Sequence, residues 1–218
     1  MCFLCNFNKL WIFCCNFAVI EKKGFADYMG IRRIWARIKR IGKGRGFGIQ
    51  SPADYNFVCN VINEHLPYYA YSELKKQFPN LTSLQRSKCE LLFRVANFLQ
   101  PQVTINIGMP QCFEKYVLRG CMKTTIHNIY NNVSGKCRLL ILASSDSLFP
   151  SEEREKILHL LQHGNCLVVD NINDSEQARS AWQALIADSR CTVCFDLYDM
   201  GIIIADNKRD KAFYAINY

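Results

Sequence analysis

Residues 138–171 read RLLILASSDSLFPSEEREKILHLLQHGNCLVVDN, and the reading of this stretch decides the fold. RLLILA (138–143) and CLVVD (166–170) are apolar runs of strand length without polar alternation, the pattern of strands covered on both faces. Between them PSEEREKILHLLQHG carries acids in its first turn and Gly164 at its end, the marks of a helix start and stop. Two buried strands joined by a helix make a parallel crossover. In such a sheet, ligands bind beyond the carboxyl ends of the strands, here Ala143-Ser144-Ser145-Asp146 and Asp170-Asn171.

The same rhythm continues on both sides. Upstream, VTINI (103–107) reads as a strand ending at Asn106-Ile107-Gly108, QCFEKYVLRG as a short helix and KTTIHNI (123–129) as a strand. Downstream, Asp174 to Ala187 reads as a helix, CTVCFDL (191–197) turns through YDMG into IIIAD, and AFYAINY is a final strand. The fold class is therefore α/β, a mostly parallel sheet with an antiparallel carboxy-terminal hairpin. Helices precede it. Ser51-Pro52 caps a helix through about Leu66, PYYAYSEL is a connection, and Thr82 to Leu99 is a longer helix with a buried stripe of Leu84, Ser87, Cys89, Leu91, Leu92, Val95, Ala96 and Leu99. The organisation expected is an extension over 1–28, helices over 29–100 and the α/β core over 101–218.

Half of the 218 residues are hydrophobic, enough for one substantial core. The net charge of +8 is concentrated at the front. Residues 1–45 hold ten Lys and Arg against Glu21 and Asp27, while residues 46–218 hold seventeen basic and seventeen acidic residues. Thus the overall charge says nothing about the core's own ligand. From Gly30 to Ile41, GIRRIWARIKRI sets Ile31, Ile34, Trp35, Ile38 and Ile41 on one helical face with Arg32, Arg33, Arg37, Lys39 and Arg40 around it. That pattern fits either packing or an anionic surface, nucleic acid or membrane. The glycines at 42, 44, 46 and 48 follow a helix rather than a strand and lack a GK[ST] ending, so they read as a hinge and not a phosphate loop. The first twenty residues are apolar but broken by Asn and Lys. Their longest clean run, Leu10 to Cys15, is too short to span a bilayer; a degenerate signal or anchor, or a functional start at Met29, each fits these flanks, and the core-like cysteines make the cytoplasm the expected location.

Of the twelve cysteines, Cys89, Cys166, Cys191 and Cys194 fall in apolar runs and read as core residues. CTVC at 191–194 has strand alternation, which sends its cysteines to opposite faces. His159 and His163 stand four apart without the Glu of the zinc protease motif and read as surface or half-buried residues. No GxSxG occurs, which removes the nucleophile-elbow hydrolases. Asp170-Asn171 offers two oxygen ligands to Mg²⁺, or hydrogen-bond acceptors to a substrate, against the plainer reading of a turn and helix start.

Three segments carry a family resemblance: RGFGIQSPADYNFVCNVINEHLPYYAYSEL, LVVDNINDSEQARSAWQAL and VCFDLYDMGIII, in that order along the chain. From Met29 onward the sequence resembles bacterial class I methyltransferase-like proteins that use S-adenosylmethionine (SAM), and less closely the metal-dependent O-methyltransferases. The resemblance implies a Rossmann-like sheet with a last hairpin around Asp199 and Gly201. It implies a SAM loop after Val103–Ile107, where the family has an acid and at least two glycines. Here Asn106 takes the acid's place, Gly108 is the sole glycine, and Pro110 removes an amide. The family's ribose-binding acid has no counterpart, because no Asp or Glu lies between Glu114 and Asp146. Ala143 stands where the fourth strand should present an acid, with Asp146 three positions on. Asp170-Asn171 matches two thirds of the relatives' metal site. Only about thirty residues separate Gly108 from Leu139, short by about one strand–helix unit.

Three readings follow. The first is a shortened, degenerate member without catalysis or cofactor, serving binding or scaffolding, self-association included. The second is an active methyltransferase on a small acceptor, with SAM beside Gly108 and Asp146 or Asp170 positioning or deprotonating the acceptor. The third is an anionic-surface binder through residues 31–45.

Overall fold

The computed structural model describes residues 25–41, 48–128 and 137–218, with side chains from residue 31 onward. The described residues divide into two units, one ending at Lys39 and the other running from Arg40 to Tyr218. The first contains helix α1, Phe25–Lys39. The glycine-rich stretch 42–47 and residues 1–24, on which the hinge and extension readings fall, lie outside the described residues.

The second unit starts its helices as the local chemistry directs. Ser51 caps α2 (Pro52–Phe57), its Oγ accepting from Asp54 N, with Pro52 at the first turn. The helix does not run to Leu66. It rewinds into a π-helical stretch, Val58–Ile62, closed by Asn63 N donating to Val58 O at 2.9 Å. The freed carbonyls at that end are taken by the buried Arg94, whose Nε donates to Val61 O at 2.7 Å and Nη2 to Ile62 O at 3.2 Å. PYYAYSEL is not a plain connection either, since α3 spans Tyr69–Gln77. Tyr68 and Tyr71 pack on Phe93 at ring separations of 5.0 and 5.2 Å, and Leu74 is buried. Tertiary packing thus stabilises a helix that this polar segment would not hold alone. α4 (Ser83–Leu99) opens with a reciprocal capping box, Thr82 with Gln85.

After α4 come β1 (Val103–Ile107), α5 (Gln111–Gly120), β2 (Thr125–His127), β3 (Leu139–Ser144), a 3₁₀ turn (Ser145–Leu148), α6 (Ser151–Leu160), β4 (Cys166–Asp170), α7 (Glu176–Ala187), β5 (Val193–Asp196), β6 (Met200–Ile204) and β7 (Ala212–Ala215). The described sheet has seven strands in the order β2-β1-β3-β4-β6-β5-β7. β1 pairs in parallel with β2 and β3, and β3 with β4. β6 enters between β4 and β5 antiparallel to both, and β7 then pairs in parallel with β5. This is the mixed, mostly parallel, Rossmann-like sheet expected. Among the described strands β6 alone runs against the rest, so the hairpin contributes one reversed strand and not two. Between β1 and β3 the described residues hold α5 and β2, with 129–136 outside them.

Alternating strand residues feed two cores. Leu140, Leu142, Val168 and Ile202 pack with α2, α4 and α5, whereas Leu139, Ile141, Val169 and Ile203 pack with α6 and α7. Gly201 on β6 leaves room for the Trp182 ring, since a Cβ there would overlap it. Cys89, Cys166, Cys191 and Cys194 are buried as expected. Cys191 and Cys194, however, share one core. β5 begins at Val193, so Cys191 sits before the strand and alternation does not apply to it; Cys194 Sγ lies 3.7 Å from Cys191 O.

Candidate functional site

The carboxyl ends of β1, β3 and β4 bring the sequence candidates to one edge of the sheet. At the end of β1, Asn106 is nearly buried and its amide serves the loop itself. Oδ1 accepts from Met109 N at 2.9 Å, and Nδ2 donates to Met109 O at 3.1 Å and to Glu114 Oε1 at 2.5 Å. A side-chain amide that satisfies both backbone groups of a residue three positions on closes the turn as a backbone pair would. Gly108 then adopts φ +77°, and a Cβ there would come within 3.0 Å of both Ser144 Oγ and Ser147 Oγ. Those hydroxyls are 2.8 Å apart, and Ser147 donates to Ile107 O at 3.1 Å. In the sequence Ser144 stood out only as part of the β3 strand end, and Ser147 was not singled out. They come from the end of β3 and its 3₁₀ turn, and they rest against the single glycine of the loop. Gly108 is therefore required both by its backbone conformation and by the close approach of β3.

At the end of β4, Asp170 and Asn171 meet Lys88 of α4. Lys88 Nζ lies 2.5 Å from Asp170 Oδ1 and 2.7 Å from Asn171 Oδ1, with Lys88 4% and Asp170 6% exposed. Asn171 takes the left-handed conformation, φ +58°, and its N–H lies 2.9 Å from Asp170 Oδ1 and 2.7 Å from Asp199 O. Burial pushes the Asp170 carboxyl above its usual range, while the Lys88 ammonium and the Asn171 amide pull it down. The pair expected to hold a metal cation thus holds the chain's own ammonium, which a metal would have to displace. Among the described residues no group of three or more His, Cys, Asp or Glu is arranged to hold an ion. Asp146 does not join them: it is exposed on the 3₁₀ turn, its carbonyl accepting from Phe149 N.

Lys88 could have been found. Leu84, Lys88, Leu91, Leu92 and Val95 recur at spacings of four, seven, eight and eleven, so the helical period puts a lysine in the middle of the buried stripe. A lysine is almost never fully buried unless paired, which makes that position a signal.

Arg40, counted among the surface cations, is also spoken for. Its Nη1 donates to Asp196 O at 2.8 Å and Ile216 O at 3.1 Å, its Nη2 pairs with Asp196 Oδ1 at 2.8 Å, and its guanidinium lies 5.8 Å from the centre of the Tyr198 ring. Its role is to hold the ends of β5 and β7 together. Asp54 does a related task within the QSPADY segment, accepting from Tyr214 Oη at 3.0 Å and pairing with Arg209, and so joining α2 to β7. His159 and His163 are exposed, as expected; His163 lies beyond the end of α6 and pairs with Asp206 at 3.0 Å.

Clefts occur away from these strand ends. A polar one of about 530 Å³ opens at the opposite, amino-terminal ends of β1, β3 and β4, lined by Gln102, Arg138, His163 and Asn165 among others. A second, of about 410 Å³, lies between α6 and α7 beside Phe149 and Arg154.

No protein-family model matches the chain, and no curated protein does. Among solved structures, the SAH-bound methyltransferase PaMTH1 of Podospora anserina is similar, at a TM-score of 0.48 and 13% identity over 73% of this chain and 97% of that one. The sheet order, with one reversed strand among those described, makes this an α/β, Rossmann-like fold. Among the described residues no helix is long and apolar enough to cross a membrane.

Proposed function

We propose that this protein is a shortened, degenerate member of the methyltransferase-like proteins its sequence resembles, and that it works without catalysis, as a binding or scaffolding module. The observation that carries the reading is the loop after β1. The Asn106 side chain takes the Met109 N–H and C=O and the Glu114 carboxylate, and a Cβ at Gly108 would lie 3.0 Å from the Ser144 and Ser147 hydroxyls. A cofactor's amino-acid end needs free loop amides and open space beside that glycine. The missing ribose acid, the occupied Asp170-Asn171 pair and the shortened segment after Gly108 support the same reading.

Isothermal titration of SAM and of S-adenosylhomocysteine into the full chain tests it. No heat at millimolar ligand is expected. Micromolar binding of either would overturn the reading in favour of an active methyltransferase, with SAM beside Gly108 and Asp146 as the one exposed carboxylate of the two acid candidates.

A further inference from the structure

Helix α1 has a face that the methyltransferase-like fold does not account for. At about 100° per residue, Ile31, Ile34, Trp35 and Ile38 fall within an arc of about 100°. Arg37 borders that arc on one side and Lys39 on the other. Ile34, Trp35 and Ile38 are 44%, 50% and 42% exposed, and Ile41, two residues past the helix end, is 73% exposed. No acid occurs between Asp27 and Asp54, and Lys43 and Arg45 continue the basic run beyond the helix.

We propose that α1 docks in the plane of an anionic lipid surface, its isoleucines and Trp35 entering the boundary between headgroups and acyl chains while Arg37 and Lys39 reach the lipid phosphates. The arrangement of charge decides the class of partner. A nucleic acid would be met by cations at the centre of the contact, with apolar side chains kept out of the phosphates. Here the centre is apolar, the cations flank it, and an indole sits near one border, the distribution of a helix lying at a membrane interface. Fifteen residues of helix extend about 22 Å, too short to span a bilayer but suited to lying along it. Arg40, bound to Asp196, is not one of the docking cations. The proposal is independent of whether the α/β unit binds a cofactor.

Co-sedimentation of the full chain with vesicles tests it, comparing phosphatidylcholine alone with phosphatidylcholine containing phosphatidylglycerol, at low and high salt. Binding to the anionic vesicles is expected to be at least about tenfold tighter than to the neutral ones and to weaken with salt. Arg37→Glu with Lys39→Glu should lower it by at least about tenfold. Ile34→Asp with Ile38→Asp should abolish it, with the thermal melt of the protein unchanged. Vesicle binding that survives the double aspartate variant would overturn the proposal and move the contact to another segment. So would equal binding to neutral and anionic vesicles. Binding of an RNA oligonucleotide in place of vesicles, or a dimer lost in the aspartate variant without any vesicle binding, would overturn it in favour of nucleic acid or of a second copy of the chain.

Discussion

Over β1, Asn106, Ser144 and Ser147 close the strand end with hydrogen bonds among neutral groups and one from Asn106 to the Glu114 carboxylate, whereas over β4 the same task falls to a buried ion pair between Lys88 and Asp170. The two ends sit on one edge of one sheet and both use groups of the chain where a ligand's groups would be expected. Their physics differs. Neutral bonds each contribute about 1 kcal/mol net, and losing one exposes a single polar atom. A buried ion pair contributes little beyond its own desolvation, yet removing one partner strands a charge. The β1 end is therefore the one that small changes could loosen, and the β4 end is the one that cannot lose a member without a large cost.

The strongest way to break this comparison is Lys88→Met. It leaves Asp170 buried without its counter-ion and should cost about 3–5 kcal/mol in denaturant unfolding at neutral pH. A loss under about 1 kcal/mol would mean that the β4 end is held no differently from the β1 end. Adding Asp170→Asn should restore most of the loss. The pH dependence has a definite sign. Burial already holds the folded Asp170 carboxyl above its unfolded value of 3.8, and removing Lys88 raises it further. A raised folded value contributes stability below the unfolded one and loses it as pH rises, so the Lys88→Met penalty should be smallest below about pH 4 and grow toward neutrality.

Asn106→Asp probes the other end by restoring the acid type that the resemblance expects. A carboxylate cannot donate, so it would face Met109 O and Glu114 Oε1 with acceptors alone. A loss of about 2–3 kcal/mol is expected at neutral pH, read by the same unfolding assay. If the variant keeps full stability and gains SAM affinity, the loop is an open cofactor site and the comparison fails. The smallest effect should come from Gly108→Ala. Its left-handed backbone and the two serine hydroxyls at 3.0 Å predict a loss of about 1–2 kcal/mol. No loss would show that β3 does not press on the loop.

Much of this architecture was legible in the sequence because it rests on local rules. The runs Leu139–Ala143 and Cys166–Asp170 are buried strands, Ser51-Pro52 starts a helix, and Thr82 caps another. What was missed depends on neighbours distant in the chain. The Tyr69–Gln77 helix is held by Phe93, the helix from Pro52 rewinds at Val58 with Arg94 collecting its last carbonyls, and Cys191 lies outside the strand that its CTVC spacing suggested. At the candidate site, Asn106, Gly108, Asp170 and Asn171 were legible as strand ends. Ser144 stood in plain view at the end of β3, but nothing in the sequence links it to Gly108.

By itself the sequence determined the alternation of strands and helices, the charge split between residues 1–45 and the rest, and which residues stand at the carboxyl ends. Periodicity, capping and composition act over a few residues, so a linear reading reaches them. Only the tertiary structure decided that β6 enters between β4 and β5, that Ser147 reaches Ile107 across 40 residues, and that Lys88 reaches Asp170 across 82. Burial is what gives those contacts their importance, because a charge or hydroxyl removed from water must find its partner in the fold.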